Sequence, residues 1–287
     1  MDLVVTKDQK ERSAITKEEW REYTKTVWNI ANITNKQHPA VFPPELPRRL
    51  IKMFSFVEEL VIDPFGGTGT TGLVAAELGR RGVCIDQNPQ YVDIMKDQAE
   101  TLIPFEGEFT GISGDARDLP FEDGSVGLAV TSPPYWNKAD YGGGENDLGR
   151  NASYVDFLES LRPAFEEVYR VLAPGRKFCV NTANVNQHTD YGLLTFPLAT
   201  DLVVLLREIG FVLINEIIWN KDGTGGRWGS ANGQRPIFGS YPYPPNLLFK
   251  NVHEYVIVVA KPPSKKRTGK TVVPYDQLMA LAEGPNG

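Results

Sequence analysis

A chain of 287 residues and 31.9 kDa is long enough for one large α/β domain or two small ones, and a single domain over 1–287 is expected. Its 41% hydrophobic and 23% charged content is that of an ordinary globular chain, and no apolar stretch approaches the roughly 18 residues of a membrane span. A formal net charge of −6 excludes a global attraction to nucleic acid, so contact with DNA would need a local basic face.

The first residues, MDLVVTKDQKER, carry neither a secretory apolar core nor an Arg-rich transit pattern, which points to the cytoplasm. Cys84 in GVCID and Cys179 in KFCVN fall in strand-like apolar runs, where a thiol acts as a small hydrophobe. No disulfide framework is expected from them. His38, His188 and His253 are scattered without ligand spacing, so no metal site is expected.

Residues 1–15 are polar and expected to be flexible. Thr16 and Glu19 in TKEEW form a capping box that predicts a helix over 17–26. Leu46, Leu50, Ile51 and Phe54 recur at helical spacing and predict a second helix over 43–55. Strands are then predicted near 60–65, 82–86, 109–113, 126–131, 176–182, 211–219 and 254–260, with helices over 71–80, 89–101, 153–172 and 195–209. No helical segment separates the last two strands, so they should pair antiparallel at one sheet edge. Five strands in a βα series followed by such a pair is the plan of an α/β, Rossmann-like, seven-stranded methyltransferase sheet, whereas a dehydrogenase would show a second mononucleotide half.

The stretch DPFGGTGTTG, 63–72, follows an apolar run and contains G-x-G-x-x-G at Gly67, Gly69 and Gly72. Asp86 closes the next strand at about the ~20-residue distance of the nicotinamide fingerprint. Spacing alone therefore leaves a nicotinamide oxidoreductase open.

The second informative stretch is TSPPYW, 131–136, at the end of the fourth predicted strand. With HPAVFPPELPRRLIKMFS, DPFGGTGTT, CIDQNPQYV, SGDARDLP and the terminal HEYVIVVAKP, it makes the chain resemble the amino-methyltransferases of DNA, most closely their N4-cytosine branch. Ser132, Pro133, Pro134 and Tyr135 match the family's catalytic loop, with the serine typical of cytosine enzymes. The resemblance implies S-adenosyl-L-methionine as cofactor and double-stranded DNA as substrate. Ser132 Oγ and the Pro133 carbonyl would accept from the exocyclic amine, and Tyr135 would stack on a base flipped out of the duplex. It also implies that Asp63, Phe65, Gly67, Gly69, Thr70 and Thr71 surround the methionine part of the cofactor, held further by His38, Pro39, Ala40 and Phe42. Asp86 would accept the ribose hydroxyls, and Asp115 with Ala116 would meet the adenine. Carbon methylation would need a Cys nucleophile in a Pro-Cys loop, which neither cysteine supplies.

Many members of that branch place the catalytic half first; here the cofactor motif precedes it, which reads as a circularly permuted arrangement. No separate target-recognition domain stands out. The 34-residue connection 220–253, with six Gly and four Pro, is the candidate. Its Lys221, Arg227, Arg235 and Lys250 suit phosphate contact, and Trp228, Tyr241 and Tyr243 suit stacking. Asn232, Gln234 and Asn246 suit base edges. Trp136 is a further candidate DNA contact, and 137–152 a candidate lid. Residues 262–287, with PSKKRTGK, read as a solvated tail. A cognate restriction endonuclease is the implied partner. Adenine N6, RNA, and a non-catalytic DNA-binding protein that keeps the fold stay open beside cytosine N4.

Overall fold

A computed structural model describes residues 3–32, 42–101, 105–138, 153–221, 240–245, 248–249 and 251–264. The expected contacts His38, Pro39, Ala40, Arg227, Trp228, Arg235, Asn232, Gln234, Asn246 and Lys250 lie outside them, as do most of the 137–152 segment and the tail beyond 264.

Helix α1 (Lys7–Arg12) forms where a flexible start was expected. Thr6 Oγ1 accepts from the Gln9 amide at 3.2 Å and Gln9 Oε1 from the Thr6 amide at 2.9 Å, a reciprocal cap. Arg12 reaches Glu58 at 2.5 Å and ties the helix down. The box at Thr16 and Glu19 opens α2 (Lys17–Tyr23). It ends before residue 26 because the chain enters β1 (Val27–Asn29), whose Trp28 is buried and donates Nε1 to the Tyr23 carbonyl at 3.2 Å. Helix α3 (Glu45–Phe54) buries Leu46, Leu50 and Ile51, as its spacing requires.

The alternation that follows matches the reading closely: β2 (Leu60–Asp63), α4 (Thr70–Glu77), β3 (Arg81–Asp86), α5 (Pro89–Thr101), β4 (Glu108–Ser113), β5 (Val126–Thr131), α6 (Tyr154–Val171) and β6 (Leu172–Thr182). A hairpin of β7 (Val185–Thr189) and β8 (Gly192–Phe196) comes next, then α7 (Leu198–Ile209), β9 (Val212–Asn220) and β10 (His253–Ala260). The hairpin was not foreseen, and it delays α7 by three residues from the expected 195. Phe196 precedes Pro197, and the proline ring disfavours helical backbone in the residue before it.

The main sheet has the order β1-β9-β10-β6-β5-β2-β3-β4. Its strand pairs are parallel except those of β10, which runs antiparallel to both β9 and β6. The last two strands thus pair antiparallel as expected, but β1 occupies the outer edge beside β9, giving eight strands instead of seven.

Strand periodicity divides the core between the two sheet faces. Ile62, Ala129, Phe178, Val180, Ile257 and Val259 pack with α6 and α7, while Val61, Leu128, Val130, Cys179, Val256 and Val258 pack with α3 and α4. Among the described residues no helix is long and apolar enough to cross a membrane.

Sheet order reverses direction between β2 and β5: β3 and β4 lie on one side of β2, and the chain then crosses to its other side. Ligands of open α/β sheets bind at such a switch point, outside the carboxyl ends of the strands. Asp63, Asp86 and Thr131 end β2, β3 and β5 at that rim.

Candidate active site

A cleft of about 900 Å³, open to solvent, lies over this switch point. Its lining joins the two motifs: Asp63, Phe65, Gly67 and Thr70 from the glycine-rich stretch, Asp86, Asp115 and Ala116 from the next two strand ends, Phe42, and Ser132, Pro133, Pro134 and Tyr135. Gln87, Tyr91 and Arg117 line it too, although only the CIDQNPQYV and SGDARDLP stretches, not these side chains, stood out in the sequence.

The glycine-rich turn is closed upon itself. Gly67, at φ 52°, donates its amide to Asp86 Oδ2 at 2.9 Å. Gly66 donates to the Ile85 carbonyl, Gly69 to the Gly66 carbonyl, and Phe65 to Asp63 Oδ1. These amides are therefore engaged inside the protein instead of forming an open nest for a pyrophosphate, which weakens the nicotinamide reading of the motif. Asp86 also takes the Asn88 amide on Oδ1 at 2.9 Å. Its carboxylate is thereby held at the cleft that it lines.

Gly69 and Thr71 are placed differently from the expectation that they surround the cofactor. A side chain at Gly69 would meet Met95 at 3.0 Å and Phe109 at 3.2 Å, so this glycine, at φ 88°, belongs to the packing against α5 and β4. Thr71 is fully buried and donates to Asp63 Oδ2 at 2.8 Å. Asp63 accepts from Thr131 on its other oxygen at 2.6 Å, so one carboxylate joins the glycine-rich turn to the start of the Ser132 loop. Burial pushes its pKa up to about 6, partly opposed by the Thr131 and Thr71 hydroxyls. Asp115 forms a forked pair with Arg117, at 2.9 Å through Nε and 2.5 Å through Nη2, which holds its pKa below the ordinary carboxylate value.

At the other end of the cleft Ser132 Oγ lies 3.0 Å from Tyr135 Oη, which in turn lies 3.0 Å from Glu254 Oε2. Asn181 Nδ2 is 2.8 Å from Tyr135 Oη, 2.7 Å from Glu254 Oε2 and 3.4 Å from Ser132 Oγ. Lys221 Nζ completes the group by pairing with Glu254 Oε1.

The DNA methylase family N6/N4-Mtase matches residues 3–97 and 126–283. The chain belongs to this family of DNA methylases. Among similar proteins, the Type II methyltransferase M.MjaI of Methanocaldococcus jannaschii is 28% identical over 187 residues, covering 57% of this chain and 59% of the relative. The Type II methyltransferase M.Cfr9I of Citrobacter freundii is 42% identical over 142 residues, 41% of this chain and 45% of the relative. The match with M.MjaI spans under two thirds of that relative's length, and the match with M.Cfr9I under half. A solved structure of TTHA0409, a proposed DNA modification methylase of Thermus thermophilus complexed with S-adenosyl-L-methionine, is 29% identical over 57% of this chain and 60% of that one, with a TM-score of 0.39.

Two of the expected DNA contacts are interior residues. Lys221 is only 6% exposed, paired with Glu254 and 3.9 Å over the Trp219 ring, so it does not stand on a phosphate-binding surface. Its burial lowers its pKa, against the pull of Glu254. Trp136 is 5% exposed and packs against Phe196 at 4.9 Å and Tyr154 at 5.2 Å, joining the end of the Ser132 loop to β8 and α6. Tyr241 and Tyr243, by contrast, stand exposed. Asn181 and Glu254 escaped the sequence reading, although Glu254 sits within the HEYVIVVA stretch that stood out. Asn181 directly follows the apolar run Phe178-Cys179-Val180 and Glu254 directly precedes Tyr255–Ala260, and a polar residue bordering a buried run is the signal that could have found them.

Proposed function

We propose that this DNA methylase transfers a methyl group from S-adenosyl-L-methionine to the exocyclic N4 of a cytosine flipped out of duplex DNA. One observation carries the reading: the glycine-rich turn, Asp86 and Asp115 line the same cleft as Ser132, Pro133, Pro134 and Tyr135. When bound, S-adenosyl-L-methionine supplies an electrophilic methyl group on a sulfonium centre.

The residues present fit such a cofactor. Asp86 is oriented by two backbone amides to receive the ribose hydroxyls, Phe65 and Tyr91 offer apolar walls, and the Asp115 carboxylate, fixed by the Arg117 amide and guanidinium, stands at the cleft to meet the adenine. Ser132 Oγ and the Pro133 carbonyl accept the two N–H bonds of the target amine. An exocyclic amine is a poor nucleophile while its lone pair is delocalised into the ring, and two acceptors draw it towards tetrahedral geometry in line with the methyl group. Proline at 133 and 134 stiffens this backbone and brings no competing N–H. The Tyr135 ring stacks on the base, offsetting part of the unstacking cost of a few kcal/mol. A ring-attacking thiolate does not fit, since Cys84 and Cys179 are both buried in the sheet and desolvation raises both thiol pKa values.

Relatives named Type II methyltransferases support a place as the modification partner of a restriction endonuclease. The test is incubation with S-adenosyl-L-methionine and mixed-sequence duplex DNA, then nucleoside mass spectrometry. N4-methylcytosine is expected. N6-methyladenine would move the target to the other base of the family, and no methylated nucleoside in DNA would overturn the activity.

A further inference from the structure

We infer that Glu254, compensated by Lys221, is a positioning residue that fixes the direction of every hydrogen bond between itself and Ser132, so that Ser132 meets the incoming amine as an acceptor. The inference rests on the proposed role of Ser132 at the target amine and explains how a hydroxyl, which can donate or accept, is held to one of these tasks.

Counting protons gives the direction. An ionised carboxylate only accepts and an amide nitrogen only donates, while a phenol has one proton to give. Tyr135 Oη contacts both Glu254 Oε2, at 3.0 Å, and Asn181 Nδ2, at 2.8 Å. The Tyr135 proton therefore goes to Glu254, and its oxygen accepts from Asn181. In the 3.0 Å contact between Ser132 Oγ and Tyr135 Oη, Tyr135 has no proton left, so Ser132 is the donor. With its own proton turned inward, Ser132 presents lone pairs to the cleft it lines.

Glu254 also orients Asn181. Turning the amide would set its oxygen against the carboxylate, whereas the present arrangement gives the nitrogen's two protons to Glu254 at 2.7 Å and Tyr135 at 2.8 Å, leaving the 3.4 Å approach to Ser132 weak. Lys221 supplies the counter-charge for a carboxylate that is only 4% exposed. A protonated or amide group in its place would have a proton of its own to donate, and the chain of directions would no longer be determined. Neither Glu254 nor Lys221 needs to touch substrate for this.

The test uses the full-length protein with duplex DNA and S-adenosyl-L-methionine, comparing single-turnover methyl transfer by Tyr135→Phe, Glu254→Gln and the double variant. Tyr135→Phe retains the ring and so retains stacking; loss of the hydroxyl should slow transfer by about tenfold to a hundredfold with KM for both substrates changed by less than about threefold. Glu254→Gln should give a similar loss, and the double variant should be no slower than Tyr135→Phe alone, because both break one chain. Tyr135→Phe at the wild-type rate, or losses that multiply in the double variant, would overturn the inference. If Glu254→Gln fails to fold, Lys221→Gln takes its place, with a loss of the same size expected alone and no further loss when combined with Tyr135→Phe. Wild-type protein inactive on DNA would instead remove the underlying reading, and the inference with it.

Discussion

At the glycine-rich end of the cleft the organising partners are near in sequence: Gly67 meets Asp86 across 19 positions, Asp86 meets Asn88 across 2, and Asp115 meets Arg117 across 2. At the Ser132 end they are far apart, with Tyr135 and Glu254 separated by 119 positions, Asn181 and Glu254 by 73, and Lys221 and Glu254 by 33. The first end uses main-chain amides and turns, so its shape depends on backbone conformation. The second uses buried side chains from β6, β10 and the end of β9, and depends on the whole sheet being assembled. Under the proposed function, binding and chemistry in this cleft would be supported by separate structures, joined through Asp63, which takes Thr71 from one end and Thr131 from the other.

That separation can be broken by substitution. The largest effect is expected for Ser132→Ala, which removes the proposed acceptor at the amine. Turnover should fall a few hundredfold, while S-adenosyl-L-methionine affinity measured by calorimetry stays within about twofold. Equal losses in both would show that the two ends are not independent.

Asp63 comes next because it serves both. Its folded pKa, about 6, lies above its ordinary 3.8, so the folded protein holds the proton more tightly. The native state should therefore lose stability as pH rises from about 4 to about 6, by up to about 3 kcal/mol, and then level off. Asp63→Asn should flatten this slope in denaturant titrations across the window. An unchanged slope would assign the titration to other groups.

A smaller effect, confined to binding, is expected for Asp86→Ala. Loss of a charged acceptor should weaken S-adenosyl-L-methionine by about 2 kcal/mol, roughly thirtyfold, and the single-turnover rate at saturating cofactor should change little. A rate loss that saturation cannot restore would contradict the division.

The smallest is Gly72→Ala. Its Cβ would meet Phe109 at 2.6 Å and Cys84 Sγ at 2.8 Å, an overpacking cost offset in part by the better helix propensity of alanine. A net destabilisation of about 1 kcal/mol by chemical denaturation is expected, and a gain in stability would show that Phe109 and Cys84 give way to a side chain at this glycine.

Much of the fold was legible. The seven expected strands are all present; the central parallel strands β2 and β5, buried on both faces, read as short continuous apolar runs. The cleft residues Asp63, Phe65, Gly67, Thr70, Asp86, Asp115 and Ser132 to Tyr135 were legible through contiguous motifs. Gly69 and Thr71, in the same motif, turn to the interior instead, a distinction that depends on which way each backbone position faces once α4 packs on β3. The Thr6 and Gln9 cap was visible in the sequence yet went unread, as was the Asp190-Tyr191-Gly192 turn of the β7–β8 hairpin, where Gly192 takes φ 96°.

The sequence by itself determined the alternation of strands and helices and the positions of the glycine-rich turn and of the Ser-Pro-Pro-Tyr loop, since each follows from residues within a short span whose periodicity or backbone preference acts locally. Only the tertiary structure decided that β10 lies inside the sheet, that β1 covers its edge, and that Lys221 and Trp136 face the interior. It alone brought Asn181 and Glu254 to Tyr135. Those outcomes depend on the register of β10 against β6 and β9, which pairs Tyr255 with both Thr182 and Ile218, and strand register is set by the burial of whole faces, not by any one segment.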